Sequence, residues 1–232
     1  MFPIKDTARA RHVPVVTWLI IAANVAVFLL ETSLSPVQLD RLIRLYGVTP
    51  RRFLQDWGTG QFLTLFTSLF LHGGWFHLIS NMWALYLFGD NVEDRMGHGR
   101  FLLFYGLCGA LAALTQVFAS PASRLPMVGA SGAIAGVLGA YFVLFPRARV
   151  ITFVPLYFLP YLVEIPALFY LAFWFVSQLF NGLFTLAVAS EIAGGVAWWA
   201  HVGGFASGAI LVKFFEQRRA YRPWYPDEYW PW

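Results

Sequence analysis

A serine, two histidines and an asparagine lie inside strongly apolar stretches of this sequence. They are Ser131, His201, His77 and Asn81. Polar side chains inside apolar membrane helices are energetically expensive and commonly mark functional sites. A serine hydroxyl that transfers its proton to a histidine becomes a nucleophile. Two donors four residues apart on one helix face could stabilise an oxyanion, so these residue types indicate acyl transfer.

Each residue also has an ordinary structural explanation when it is taken alone. A serine in a helix rich in glycine and alanine is usually a packing residue. An intramembrane histidine or asparagine often makes a structural hydrogen bond between helices. The catalytic interpretation therefore depends on whether the helices bring the four side chains together.

The composition of the chain predicts the kind of protein that carries these four residues. Hydrophobic residues make up 59% of the 232 residues and charged residues 12%, and the mean hydropathy is +0.61. These values are typical of a polytopic membrane protein. The net charge of +4 comes from basic residues at the ends of apolar segments, so the lipid bilayer and not nucleic acid is the expected partner. The single cysteine, Cys108, excludes a disulfide framework, and no metal or other cofactor is expected.

Apolar runs of about 20 residues, the length that crosses a bilayer, predict an all-α fold with six transmembrane helices over residues 15–216. The helices are expected near residues 15–31, 75–93, 100–119, 129–145, 161–187 and 192–215. Residues 1–14 are expected to form a cytoplasmic tail. Residues 217–232 are expected to form an aromatic tail.

The distribution of Lys and Arg predicts the orientation. With six helices, eleven basic residues fall on one side and five on the other, and the positive-inside rule places both termini in the cytoplasm of a cell membrane. The loop over residues 32–74 then lies outside. It contains a predicted amphipathic helix, because Leu39, Leu42 and Tyr46 have helical spacing. The proline-rich segment 155–166 is expected to be a loop that leads into the fifth helix.

This topology places the polar residues at similar depth. His77, Asn81 and Ser131 are expected near the outer ends of their helices, and His201 about 13 Å inside the sixth. Small residues, which let helices approach closely in lipid, follow both Ser131 and His201. These ribbons consist of Gly132, Ala135, Gly136 and Gly139 on the fourth helix and Gly203, Gly204 and Gly208 on the sixth. If they face each other, the hydroxyl and the imidazole could come within hydrogen-bond reach.

Four ordered motifs resemble those of the rhomboid family of intramembrane serine proteases. Residues 129–132 match the G-x-S-G nucleophile motif, and residues 200–204 match the histidine motif of the last core helix. Residues 72–81 match the H-x4-H-x3-N pattern, and residues 89–97 resemble the Glu/Arg turn at the end of the second helix. The resemblance spans roughly residues 14–215.

The resemblance implies a Ser131–His201 dyad with His77 and Asn81 stabilising the oxyanion. It implies structural support from Gly129, Gly132, Gly204, Gly208, Glu93, Arg95 and His72, with Glu93 and Arg95 as bonding partners. The implied substrates are transmembrane segments of other membrane proteins that enter sideways past the fifth helix. A small side chain at the cut is implied as well.

Two positions depart from the family pattern. Leu63-Thr64 replaces a Trp-Arg pair that many members carry in the outer loop, and Ala135 replaces an aromatic residue that in some members stacks on the catalytic histidine. Anchoring of the loop and positioning of the His201 ring must therefore rely on other residues.

Two alternatives remain from other functional classes. The first is a catalytically inactive rhomboid-like protein that binds or escorts membrane proteins. Inactive members of the family usually lack the catalytic serine, the catalytic histidine or both, whereas this sequence retains Ser131 and His201. The second is a channel or transporter, for which an inverted repeat or charged pathway would be expected. No H-E-x-x-H motif of a zinc protease is present.

Overall fold

The computed structural model describes residues 2–56, 58–156, 159–187 and 196–217, and most of these residues are helical. The helices are α1 (Val15–Ser33), α2 (Pro36–Tyr46), α3 (Pro50–Gln55), α4 (Thr59–Thr67), α5 (Trp75–Met96), α6 (His98–Ala119), α7 (Ser131–Leu144), α8 (Ala167–Ala187) and α9 (Trp198–Phe215), with a 3-10 turn at Ser68–Phe70. The strands are β1 (Phe2–Asp6), β2 (Arg149–Leu156) and β3 (Leu159–Pro166). The predicted helical bundle is thus present, and a small sheet accompanies it.

The helices α1 and α5 run in opposite directions, as the sequence predicts for the first two spans. Thr17 at the beginning of α1 bonds to Glu93 near the end of α5, whereas Glu31 near the end of α1 bonds to His72 just before α5. The end of the bundle at which Ser131 begins α7 is named the serine end here. The opposite end, where the strands lie, is named the sheet end.

Several helices have the length and composition of membrane spans. In the described part of the chain, three single helices are long and apolar enough to cross a membrane, namely α1, α6 and α8 over Ala167–Leu186. A fourth span is possible from Gly60–Phe70 and Trp75–Met96, which are bent by 85° at the break between them. The helix α7 is apolar but shorter, and its residues from Gly132 to Tyr141 are buried. These helices show that the chain is a multi-pass membrane protein.

The helices α7 and α9 pack closely against each other in the core of the bundle. A Cβ atom added to Gly204 would overlap the carbonyl oxygen of Gly132, and one added to Gly208 would overlap that of Gly136. Only a residue without a side chain permits this backbone approach in a helix pair. The two ribbons of small residues therefore face each other.

The segment expected to be a loop before the fifth helix is instead a β-hairpin, which the all-α prediction did not include. Strand β2 pairs with β3 in an antiparallel register that brings Val150 opposite Ile165, and Arg149 binds Glu164 at 3.0 Å. Strand β1, within the predicted N-terminal tail, completes the order β1-β2-β3. Because residues 159–166 pair as a strand, α8 begins at Ala167 and not at residue 161.

The loop between α1 and α5 contains the predicted amphipathic helix as α2. Ser35 caps it, because its hydroxyl accepts a hydrogen bond from the Gln38 N–H in a capping box. Arg52 anchors this loop, because its guanidinium donates to the Leu45 carbonyl at 3.4 Å and to Gln61 Oε1 at 3.2 Å. Most of the predicted C-terminal tail, residues 218–232, lies outside the described residues.

Candidate active site

The hydroxyl of Ser131 and the imidazole of His201 meet across the α7–α9 interface. Ser131 Oγ lies 2.9 Å from His201 Nε2. Ser131 is the first residue of α7, and His201 lies one turn into α9. Because glycines bring these two helices together, side chains 70 positions apart in the sequence are within hydrogen-bond distance. This is the geometry that a base-activated nucleophile requires.

A residue on α8 that the sequence prediction did not identify contacts the second nitrogen of this ring. Gln178 Oε1 lies 2.8 Å from His201 Nδ1, and Gln178 is 7% exposed. The signal available in the sequence was a glutamine in the middle of an apolar span, which is the same kind of signal that identified Asn81. Its partner was not readable, because periodicity does not say which neighbouring helix a residue faces.

Two tryptophans contact the ring of His201 where the family's stacking aromatic is replaced. The ring centroid of Trp174 lies 5.9 Å from that of His201 and is tilted by 37°. The Trp198 ring approaches edge-on at 6.2 Å. Ala135 is buried and packs near Gly204 instead. The imidazole is thus fixed by Ser131, Gln178 and two aromatic rings.

The side chains of His77 and Asn81 lie against the backbone that precedes Ser131. Gly129 has a φ of +122°, and a Cβ atom there would lie 2.7 Å from His77 Cε1 and Nε2 and 3.7 Å from Asn81 Nδ2. The Gly73 N–H donates to His77 Nδ1 at 3.3 Å, so Nδ1 is the acceptor and the proton of the neutral ring is on Nε2. Nε2 is one of the two ring atoms nearest to Gly129. In the described part of the chain, the buried Asn81 Nδ2 has no hydrogen-bond partner. Two donors are therefore available beside Ser131.

His72 packs against His77 and supports its position. It is buried, and its ring centroid lies 5.1 Å from that of His77. Its backbone N–H donates to the buried carboxylate of Glu31 at 3.2 Å. This bond ties the residues just before α5 to α1 and holds Gly73 where its N–H reaches His77.

The predicted supporting residues Glu93 and Arg95 lie at the sheet end, away from Ser131. They do not pair with each other: Glu93 binds the beginning of α1, and Arg95 forms an ion pair with Glu216 after α9. Each therefore connects α5 to another helix, and neither contacts the candidate site.

A small cavity opens beside Ser131. It has a volume of about 10 Å³, roughly the space that one water molecule needs. Its walls include Gly109, Ala112, Gly129, Gly132 and Ala200. The lining also includes Leu69, Met127 and Val128, and the small volume leaves room only for a small group next to Ser131.

The titratable side chains of the described residues offer no alternative metal centre. Within those ranges, no group of three or more His, Cys, Asp or Glu side chains is arranged to hold a metal ion. Cys108 is buried, and it lies where a Cβ atom on Gly136 would meet it. It is therefore a packing residue between α6 and α7.

Comparison with known proteins indicates the same family as the sequence motifs do. The family described as Rhomboid domain matches residues 59–218. The chain is 36% identical over 128 residues to Rhomboid protease GluP of Bacillus subtilis (strain 168), covering 55% of this chain and 24% of that protein. It is 34% identical over 114 residues to Rhomboid protein 1, mitochondrial, of Saccharomyces cerevisiae, covering 44% of this chain and 33% of that protein.

A plant relative matches a larger share of the chain. The identity to RHOMBOID-like protein 1 of Arabidopsis thaliana is 32% over 157 residues, covering 68% of this chain and 35% of that protein. The matched regions thus span only about a quarter to a third of the length of these three relatives. The domain match includes the helices that carry Ser131, His201, His77 and Asn81. This chain belongs to the rhomboid family.

Proposed function

We propose that this protein is an intramembrane serine endopeptidase that cleaves transmembrane segments of other membrane proteins. The observation that carries the proposal is the 2.9 Å contact between Ser131 Oγ and His201 Nε2, flanked by the unpaired donor of Asn81. The family membership supports it, because GluP is named a rhomboid protease. No carboxylate contacts the His201 ring among the described residues, so the catalytic pair is a dyad.

The reaction begins when Ser131 Oγ attacks the carbonyl carbon of the scissile peptide and its proton passes to His201 Nε2. The oxyanion that forms accepts hydrogen bonds from Asn81, His77 and the Ser131 backbone N–H. Collapse breaks the C–N bond, and His201 gives its proton to the leaving amine. Water then attacks the acyl-serine ester with His201 as the base, and Ser131 recovers its proton.

The proposed membrane arrangement has six spans, which are α1, α5, α6, α7, α8 and α9. The serine end then faces outward, and both termini lie in the cytoplasm of a cell membrane. The excess of basic residues at the sheet end supports this orientation. One relative is named as mitochondrial, so the choice of membrane is part of the proposal.

Apolar side chains on α5 and α8 support entry of a substrate from the lipid. Phe76 is 86% exposed, and Phe173 is 73% exposed on the helix that carries Gln178. A transmembrane helix buries its own carbonyls in hydrogen bonds, so the segment must unwind before Ser131 can attack. The small volume of the cavity beside Ser131 supports a small side chain next to the cleaved bond.

A fluorophosphonate probe, which reacts with activated serines, tests the proposal in detergent solution. Wild type and the control Ser33→Ala, which removes an exposed hydroxyl bonded only within α1, should label equally. Ser131→Ala and His201→Ala should not label. Labelling that persists in Ser131→Ala, or its absence from folded wild type, would instead favour the inactive protein that binds or escorts membrane proteins.

Cleavage itself is tested in liposomes. Purified protein is reconstituted with a synthetic transmembrane peptide that carries small residues in its outer half, and products are identified by mass spectrometry. Wild type should cut the peptide within this half, and Ser131→Ala should leave it intact. A cut near the sheet end would contradict the proposed depth of the site.

A further inference from the structure

We propose that Gln178 is a positioning residue of the dyad, whose amide oxygen holds His201 in the tautomer that can accept the Ser131 proton. This inference rests on the proposed protease function. It assigns to a neutral amide on α8 the role that a carboxylate fills in a Ser-His-Asp triad. A series of hydrogen bonds among the described residues carries it, and each determines the next.

The first contact determines which way the Gln178 amide points. Ser177 Oγ donates its single proton to the Trp174 carbonyl oxygen at 2.6 Å. Its remaining hydrogen-bonding capacity is as an acceptor. The Gln178 group that lies 3.0 Å from Ser177 Oγ must therefore be the Nε2 amide, which donates. The opposite orientation would set two acceptors against each other.

The second contact determines the position of the ring proton. With Nε2 directed at Ser177, Oε1 is the atom that lies 2.8 Å from His201 Nδ1. A carbonyl oxygen can only accept, so Nδ1 must carry the proton. The neutral imidazole has one protonated and one unprotonated nitrogen. His201 Nε2 is then unprotonated, and it faces Ser131 Oγ at 2.9 Å.

The location of Gln178 explains why an amide is suitable here. The residue is 7% exposed, on a helix with the composition of a membrane span. A charged carboxylate at this depth would have to be desolvated, which is unfavourable. An amide oxygen accepts the same hydrogen bond without a charge, and its NH₂ group is satisfied by Ser177. The rings of Trp174 and Trp198 restrict rotation of the imidazole about this bond.

The experiment compares variants that keep or remove the acceptor. Gln178→Leu and Gln178→Met retain the side-chain volume without the amide oxygen, and Gln178→Glu keeps an oxygen that accepts. The control Thr185→Val removes a hydroxyl that bonds only to the Gly182 carbonyl on the same helix. The readout is the second-order rate constant of inactivation by the small fluorophosphonate probe. This probe does not depend on entry of a helical substrate.

Loss of the acceptor should slow inactivation by about 10- to 100-fold, a part of the roughly 10²- to 10⁴-fold that general-base catalysis supplies. Gln178→Glu should recover most of the rate, because burial favours the neutral acid, whose carbonyl oxygen still accepts from His201 Nδ1 and whose hydroxyl can donate to Ser177. Thr185→Val should match wild type. Ser177→Ala, which frees the amide to flip, should give a loss of roughly 3- to 10-fold, smaller than that of Gln178→Leu. With a peptide substrate the loss should fall on kcat and not on KM.

A spectroscopic measurement separates positioning from folding. In protein with ¹⁵N-labelled histidine, the His201 resonances, assigned by their loss in His201→Gln, should show a protonated Nδ1 in wild type and Gln178→Glu. They should show a mixture of tautomers in Gln178→Met. Wild type that reacts with the probe, together with Gln178→Leu and Gln178→Met that react equally fast and keep the Nδ1 proton, would overturn the role of Gln178. Folded wild type that does not react would instead overturn the proposed function.

Discussion

The carboxylate of Glu93 near the end of α5 accepts two hydrogen bonds from Thr17 at the beginning of α1. The Thr17 backbone N–H donates at 2.8 Å and its hydroxyl at 2.7 Å. The Val16 N–H donates to the other carboxylate oxygen at 2.9 Å. The first N–H groups of a helix have no partner within it, and a negative charge there interacts favourably with the helix dipole. Glu93 therefore caps α1 from a different helix.

Replacement of this cap should destabilise the bundle. Glu93→Ala leaves buried N–H groups of α1 unpaired, and we expect a loss of about 2–4 kcal/mol in the free energy of unfolding. The measurement is the unfolding midpoint of purified protein in mild detergent. Asp40→Ala, which removes an exposed carboxylate of α2, is the control and should leave the midpoint unchanged. An equal midpoint for Glu93→Ala and wild type would show that the cap contributes nothing.

The free Asn81 amide should act mainly in the transition state. Asn81→Ala removes a donor from the proposed oxyanion position, and such a loss typically lowers kcat by about 10²- to 10³-fold. KM should change little, because the ground-state carbonyl carries much less negative charge. Steady-state cleavage of a transmembrane peptide in liposomes measures both constants. A change confined to KM would assign Asn81 to substrate binding instead.

Gly129 should not accept a side chain. A Cβ atom at this position would lie 2.7 Å from two atoms of the His77 ring, and the φ of +122° is unfavourable for residues other than glycine. We expect Gly129→Ala to displace His77 and to lower the cleavage rate by at least about 10-fold, roughly 1.4 kcal/mol in the barrier.

The matched control for this substitution is Gly99→Ala on α6. A Cβ atom there would meet no heavy atom within 4 Å. Gly99 is exposed in the first turn of α6, so this variant should keep wild-type activity and unfold no earlier. Full activity in Gly129→Ala would mean that His77 is not held by the backbone before Ser131.

Asp6 should make stability depend on pH. Its carboxylate is 8% exposed and accepts hydrogen bonds from the Tyr141 hydroxyl at 2.5 Å and from Asn91 Nδ2 at 2.9 Å. Burial raises the pKa of Asp6 from 3.8 to about 7; nearby Asp90 also raises it, whereas the Tyr141 hydrogen bond and Lys5 lower it. The folded state therefore binds a proton more tightly than the unfolded state does.

The sign of the effect follows from this raised pKa. Between about pH 4 and pH 7 the folded state carries more protons at Asp6, so the free energy of unfolding falls as pH rises through this range. Above pH 7 the loss is complete. Between pH 5 and pH 8 wild type should lose up to about 2–3 kcal/mol relative to Asp6→Asn, which does not titrate. Unfolding midpoints of both proteins at the two pH values measure this difference, and parallel curves would contradict it.

The hairpin shows what the sequence could not determine. Its prolines lie near strand ends, where they are compatible with a sheet, but in the sequence they indicate a loop. Its pairing partner is Phe2–Asp6, far away in the chain, opposite Val150–Phe153. Pairing over such a distance leaves no periodic signal in either segment, so it is decided by the packing of the bundle.

The sequence by itself determined the apolar helices and the choice of Ser131, His201, His77 and Asn81 as candidate site residues. Hydrophobicity and helical spacing are local properties, and polar residues in lipid are conspicuous. Only the tertiary structure decided that Gln178 reaches His201 Nδ1 and that Gly73 determines the proton position on His77. Such contacts depend on the rotation of each helix about its axis, and side-chain packing between helices sets that rotation.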